Sequence, residues 1–177
     1  MVYQNHMGEW MNKENWIKNV IIVSGGFDPV HKGHIRMFRE AANLGANVIV
    51  GLNSDDWLTR KKGQPFMDFK ERKEILEGFK YVNQVLAFDD SDGTACSLIK
   101  QVRTIYSGSG YNYNFLDSNP TGEAEYKLYF ANGGDRTTDN VPEMEVCEQL
   151  DVEMSLGVGG GKIQSSSWLT GGKREFI

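Results

Sequence analysis

Val20-Ile21-Ile22-Val23 is an unbroken run of β-branched apolar residues. A strand of that composition has no polar face to turn to water, so protein must cover both of its sides. That is the condition of a strand inside a parallel sheet. Ser24-Gly25-Gly26 breaks the run, and glycines there let the backbone turn sharply or approach a ligand closely. Asp28-Pro29 stiffens the loop. Ile35, Met37, Phe38, Ala41 and Ala42 then recur at helical spacing as far as Gly45, which is placed to end a helix. The expected order is strand, glycine-rich loop and helix, with His31-x-Gly33-His34 in the first helical turn.

The same alternation continues down the chain. A second buried strand is expected at Asn47–Leu52, and further strands at Gln84–Phe88, Lys127–Ala131 and Val152–Val158. Helices are expected at Asp55–Thr59, Phe69–Tyr81, Ala95–Ile105 and Val141–Leu150, with Pro142 starting the last of these, and a short serine-capped helix follows Ser165. Arg60-Lys61-Lys62-Gly63 reads as a basic loop. Strands alternating with helices predict an α/β, Rossmann-like, doubly wound five-stranded parallel sheet. Ligands of such sheets bind beyond the carboxyl ends of the strands, where the strand order reverses. The loops after the first, fourth and fifth strands are therefore the ones to inspect.

The 177 residues suffice for a single buried core, which we place in residues 20–177, with 1–19 as an N-terminal extension. That extension, with Trp10 and Trp16, would either pack a helix on the domain or be partly disordered. Ser107–Gly122, dominated by Gly, Ser, Asn and Tyr, reads as a long surface loop. Trp57 and Trp168 read as core residues. A net charge of −5 argues against general nucleic-acid binding. No apolar run nears the roughly 20 residues that a membrane span needs. Met1–Lys18 lacks the apolar core of a secretory leader. Cys96 and Cys147 read as free thiols of a reducing compartment. A cytoplasmic protein without nucleic-acid or membrane partners is the expectation.

Three constellations carry chemistry. The N-terminus of a helix offers free N–H groups and about half a positive charge, which suits a phosphate. His31 and His34 in that turn add donors where a transferring phosphoryl group gathers charge, and Gly33 leaves room for the phosphate. Two histidines beside an ordinary turn are the plain alternative. Ser165, Ser166 and Ser167 at a second helix start, beside Lys162, could converge on one anion, although a simple N-cap needs only one of them. Asn53-Ser54-Asp55, Lys61 and Lys62, and Arg72 form the third group. Arg72 can make a forked contact either to phosphate or to a structural carboxylate.

Gly26-Phe27-Asp28-Pro29-Val30-His31-Lys32-Gly33-His34 resembles the signature of the HxGH nucleotidyltransferase superfamily, which includes glycerol-3-phosphate cytidylyltransferases, heptose-1-phosphate adenylyltransferases and nicotinamide-mononucleotide adenylyltransferases. Lys162-Ile163-Gln164-Ser165-Ser166-Ser167 is similar in place to the family's C-terminal motif, with Lys and Gln164 where cytidylyltransferases usually have Arg and Gly. Gly133-Gly134-Asp135 resembles a motif of the heptose-phosphate enzymes. The resemblance runs from about Val20 to Leu169 and implies the HxGH nucleotidyltransferase fold, with 107–122 as an insertion. It implies transfer of a nucleotidyl group from ATP or CTP to a phosphorylated acceptor, with pyrophosphate leaving and Mg²⁺ carried by the substrate.

On that resemblance His31, His34 and Lys61 are the catalytic set. Gly25, Gly26, Phe27, Asp28, Gly33 and Asn53 would bind the nucleotide, as would Gly134, Asp135, Arg136, Lys162, Ser165, Ser166 and Ser167. Lys62 and Arg72 are candidates for the acceptor or its phosphate. No protein-held metal is implied. The spelling Phe27-Asp28-Pro29, common among adenylyl-transferring relatives, favours ATP and a sugar phosphate over CTP and a polyol phosphate. Relatives of this size often form a homodimer. A nucleotide-sensing module without turnover is the alternative of another class, as is a fragment related to class I aminoacyl-tRNA synthetases.

Overall fold

The structure is a computed structural model, and it describes residues 2–4, 10–12, 17–44, 46–107, 125–132, 141–161 and 163–171. Five parallel strands make its centre: β3 (Ile17–Gly25), β4 (Ala46–Leu52), β5 (Gln84–Ala87), β6 (Glu125–Asn132) and β7 (Val152–Leu156). They lie in the order β5-β4-β3-β6-β7, with every neighbouring pair parallel. The chain steps outward from β3 to β5 and then returns to the far side of β3. The reversal of strand order therefore falls between β3 and β6.

Alternation along β3 explains the two cores. Ile21 and Val23 point to one face, where Met37, Phe38 and Ala41 of α1 (Lys32–Asn43) and Leu76 of α3 (Phe69–Glu77) cover them. Val20 and Ile22 point to the other, beneath Leu98, Ile99 and Val102 of α4 (Cys96–Ser107) and Cys147 of α5 (Glu143–Gln149). All four β3 residues are fully buried, as the unbroken apolar run requires. Each such side chain contributes about 1.5–3 kcal/mol of transfer free energy. Among the described residues no helix is long and apolar enough to cross a membrane.

Several boundaries differ from expectation. Two short antiparallel strands, β1 (Val2–Gln4) and β2 (Trp10–Asn12), stand where a helix or partial disorder was expected in the N-terminal extension. β3 begins at Ile17, before Val20. The helix α2 runs over Asp55–Lys62, so Arg60, Lys61 and Lys62 form its last turn rather than a loop. Their charge suits the negative end of the helix dipole, and Gly63 at φ 92° ends it. α3 stops at Glu77 and β7 at Leu156, each short of its predicted end. The final helix, α6, spans only Ser166–Leu169. Most of the proposed Ser107–Gly122 insertion lies outside the described residues.

Candidate active site

His31 is the N-cap of α1, and its Nδ1 accepts a hydrogen bond from the Gly33 N–H at 3.2 Å. In return the His31 N–H donates to Nδ1 of His34 at 3.3 Å. Two histidines thus make the reciprocal capping pair that Ser and Glu usually make. The arrangement fixes a tautomer: with both Nδ1 atoms acting as acceptors, each neutral ring carries its proton on Nε2. The rings stack with centroids 3.7 Å apart, and the edge of Phe27 packs on His34 at 4.9 Å. Burial, and then the neighbouring His31, push the His34 pKa down to about 3. Burial also lowers His31, against its own backbone hydrogen bond. At neutral pH the pair is uncharged.

These rings face a cavity of about 550 Å³ at the carboxyl ends of the strands, within the range usual for small-molecule sites. Gly25, Gly26, Phe27, Asp28 and Gly33 line its floor. A Cβ on Gly26 would come within 2.8 Å of Leu58 Cδ2, so a larger residue would force the Leu58 side chain to shift. Asn53 is fastened at the rim: its N–H donates to the Gly25 carbonyl at 3.0 Å and its side-chain amide to Asp90 at 3.0 Å. Lys61 lines the wall with its ammonium 4.2 Å from the Trp57 ring centroid, a cation–π contact. Trp57, expected in the core, is half-buried and forms part of the cavity wall.

Asp28 and Lys62 are engaged with each other. The Lys62 ammonium lies 2.6 Å from Asp28 Oδ2, and the N–H groups of Phe66 and Met67 donate to the same carboxylate at 2.7 and 2.8 Å. Burial raises the Asp28 pKa, but Lys62 and those two N–H groups outweigh it and hold the carboxyl below its ordinary value. The pair shapes the wall by tying the loop after α2 to the loop after β3.

Of the two contacts open to Arg72 from the sequence, phosphate or structural carboxylate, the guanidinium makes the second. Arg72 is fully buried, and its guanidinium donates to the carbonyls of Met67, Gly26 and Asn53 and to Asp55 Oδ1 at 2.6 Å. It bolts three loops together and does not line the cavity.

The serines close the cavity from the last described segment. Ser166 Oγ donates to the Pro29 carbonyl at 2.9 Å, which holds α6 against the loop carrying the histidines. Ser165 makes no capping hydrogen bond, contrary to expectation; its hydroxyl meets that of Ser167 at 2.8 Å on the cavity wall. Gly134, Asp135, Arg136 and Lys162 lie outside the described residues.

One wall residue has no signal in the sequence. Glu143 is 3% exposed; its Oε1 accepts from the Ala95 N–H at 2.8 Å. Its Oε2 is buried at the cavity without a hydrogen-bond donor among the described residues. An acid after Pro142 looks like an ordinary helix-start residue, and nothing local foretells that the fold buries it. Among the described residues no group of three or more His, Cys, Asp or Glu could hold a metal ion.

Residues 22–152 match the family described as cytidylyltransferase-like, a span that runs from the end of β3 to the first residue of β7 and takes in the histidine turn. The chain belongs to that family of nucleotidyltransferases. It is 37% identical over 98 residues to the bifunctional protein HldE of Campylobacter curvus, covering 54% of this chain and 20% of that protein. It is 32% identical over 120 residues to the protein of the same name from Actinobacillus succinogenes, covering 67% and 24%. The chain thus spans about a fifth to a quarter of the curated relatives it matches. Among solved structures, a lipopolysaccharide core biosynthesis protein from Thermoplasma volcanium superposes with a TM-score of 0.52 at 15% identity, covering 82% of this chain and 98% of that one. That likeness is one of fold. The five-stranded parallel sheet and the HxGH family are as expected from the sequence.

Proposed function

We propose that this nucleotidyltransferase carries the adenylyl group of ATP to the phosphate of a sugar phosphate similar to heptose-1-phosphate, releasing pyrophosphate. One observation carries the phosphate chemistry: the two neutral histidines, each locked as an Nε2–H donor, share a cavity with Lys61 and Ser165–Ser167. The choice of ATP and a sugar phosphate is supported by the Phe27-Asp28-Pro29 spelling, by Gly133-Gly134-Asp135, and by the HldE relatives.

In the reaction an acceptor phosphate oxygen attacks the α-phosphorus in line, the bond to the bridging oxygen breaks, and pyrophosphate leaves with the electron pair. The nucleophile is already an anion, so no protein base is needed. The work left to the chain is positioning and charge stabilisation. The Nε2–H groups of His31 and His34 hold oxygens as charge builds, and neither needs to give up its proton. Lys61, set by the Trp57 ring, supplies the cation. Ser165 and Ser167 offer hydroxyls to the departing phosphates. Glu143 Oε2 is an acceptor for a nucleoside donor, a ribose hydroxyl or a base amine. Mg²⁺ arriving on the nucleotide would supply charge neutralisation, held by phosphate oxygens and water, as this ion usually is.

Pyrophosphate release measured with ATP or CTP, Mg²⁺ and a panel of phosphorylated acceptors tests the reading. Turnover with ATP and a heptose-1-phosphate is expected. His31→Ala and His34→Ala should each lose about 10²–10³ in rate, the usual cost of one oxyanion donor. Preference for CTP with glycerol-3-phosphate would overturn the substrate assignment. Undiminished rates in both variants would overturn the histidine roles.

A further inference from the structure

The segment leaving β7 lies along one stripe of α1. The Gly159 N–H donates to Glu40 Oε2 at 2.8 Å. Gly159 and Gly160 have φ of +90° and +63°. A Cβ on Gly159 would stand 3.1 Å from Met37 Cβ, and one on Gly160 would collide with the guanidinium of Arg36. Farther on, Ile163 Cγ1 lies 3.7 Å from where a Cβ on Gly33 would be. Gly33, Arg36, Met37 and Glu40 stand at i, i+3, i+4 and i+7, the spacing of a single helix face. The segment therefore runs back along α1 from Glu40 to the histidine turn, and delivers Ser165–Ser167 beside His31.

We propose that Glu40, two turns from the histidines, is a positioning residue for nucleotide binding, acting by holding the Gly159–Gly161 backbone on α1 and so fixing the serines against the histidines. The proposal rests on the nucleotide reading of the cavity given above. Glu40 divides its two oxygens: Oε2 takes the Gly159 N–H, and Oε1 lies 3.4 Å from Arg36 Nε. Arg36 in turn lies against Gly160. Both φ values strain any side chain, and a Cβ on Gly159 would also crowd the backbone of Met37, so glycines suit the segment. With the Ser166–Pro29 hydrogen bond at the other end, the segment is pinned at both sides of the cavity mouth.

The carboxylate and its ion pair can be separated by substitution. Glu40→Gln keeps an oxygen for the Gly159 N–H and discards the charge that faces Arg36. Glu40→Ala discards both. Because Glu40 is half-exposed on a helix where alanine is favourable, both variants should fold.

The experiment pairs hydrogen exchange of the Gly159 amide, followed by NMR without nucleotide, with ATP titrations and steady-state pyrophosphate release. Glu40→Ala should speed that exchange about tenfold and raise the KM and the dissociation constant for ATP about tenfold, with kcat within about twofold, on the scale of one hydrogen bond to a charged group. Glu40→Gln should stay within about threefold of the parent in all of these. Unchanged exchange in Glu40→Ala, faster exchange with unchanged ATP affinity, or equal losses in the two variants would each overturn the proposal. If the parent protein binds neither ATP nor CTP, it is the functional reading that falls, and the proposal's nucleotide claim falls with it. Intact nucleotide binding with unaltered exchange overturns the proposal alone.

Discussion

Replacing Arg72 by Met separates the structural reading of that residue from a substrate contact. Methionine fills similar space on α3 but offers no donor. The change strands the carbonyls of Gly26, Asn53 and Met67, and the hydrogen bond to Asn53 is wholly buried. A buried acceptor left unpaired costs about 1–3 kcal/mol, and less where water can reach it. Asp55 loses its ion pair too, but its side chain is 39% exposed and can rehydrate. One full penalty and two partial ones come to about 3–4 kcal/mol, in keeping with removal of one partner from a buried charged network. Against a typical total of about 5–15 kcal/mol the domain should remain folded. At a urea m-value of about 2 kcal/mol/M, the midpoint should fall by about 1.5–2 M. Urea unfolding followed by circular dichroism measures it, with pyrophosphate release assayed below the transition. An unchanged midpoint accompanied by lost turnover would refute the reasoning and return Arg72 to the acceptor.

Acid should destabilise the fold through the histidines. His34 falls to about 3 in the folded chain against about 6.5 when unfolded, so the unfolded chain binds more protons between those values. Stability should be complete above pH 6.5 and decline as pH drops towards 3, by about 2 kcal/mol at pH 5; thermal unfolding across that range checks it, and His34→Gln should flatten the slope. Glu143→Gln retains an oxygen for the Ala95 N–H but turns an amide towards the cavity, so ATP affinity should drop about tenfold with the melting temperature little changed; calorimetric titration decides.

The sheet was legible because burial on both faces leaves so strong a trace. Val20–Val23 and Asn47–Leu52 carry no polar alternation, and five strands between helical segments permit few topologies. The basic end of α2 was not legible in the same way. Arg60-Lys61-Lys62 has no apolar residue to show a helical period, and only the dipole and Gly63 argue for its helix. The histidine turn was recognisable as a helix start, but the mutual capping depends on ring orientation that residue types do not carry. Arg72 and Glu143 show the other limit. Arg72 reads as a forked donor with its partner open and Glu143 as an ordinary helix-start acid, and each is buried because carbonyls or an N–H from distant loops converge on it. The stripe Gly33, Arg36, Met37, Glu40 and the glycine run 159–161 are both present in the sequence, but that the two pack together across more than a hundred residues is not.

The uncharged state of the histidine pair bears on how a turnover ends. Pyrophosphate is a dense anion, and charge-assisted hydrogen bonds are about twice as strong as neutral ones. Two imidazolium rings would grip it long after the chemistry was over. Rings kept neutral by burial, reinforced at His34 by the neighbouring His31, and aimed by their hold on the α1 backbone, instead offer well-placed donors without a fixed charge. Their grip strengthens only while charge gathers at the reacting phosphorus and slackens as it disperses. The same capping bonds that begin a helix would thereby hasten product departure.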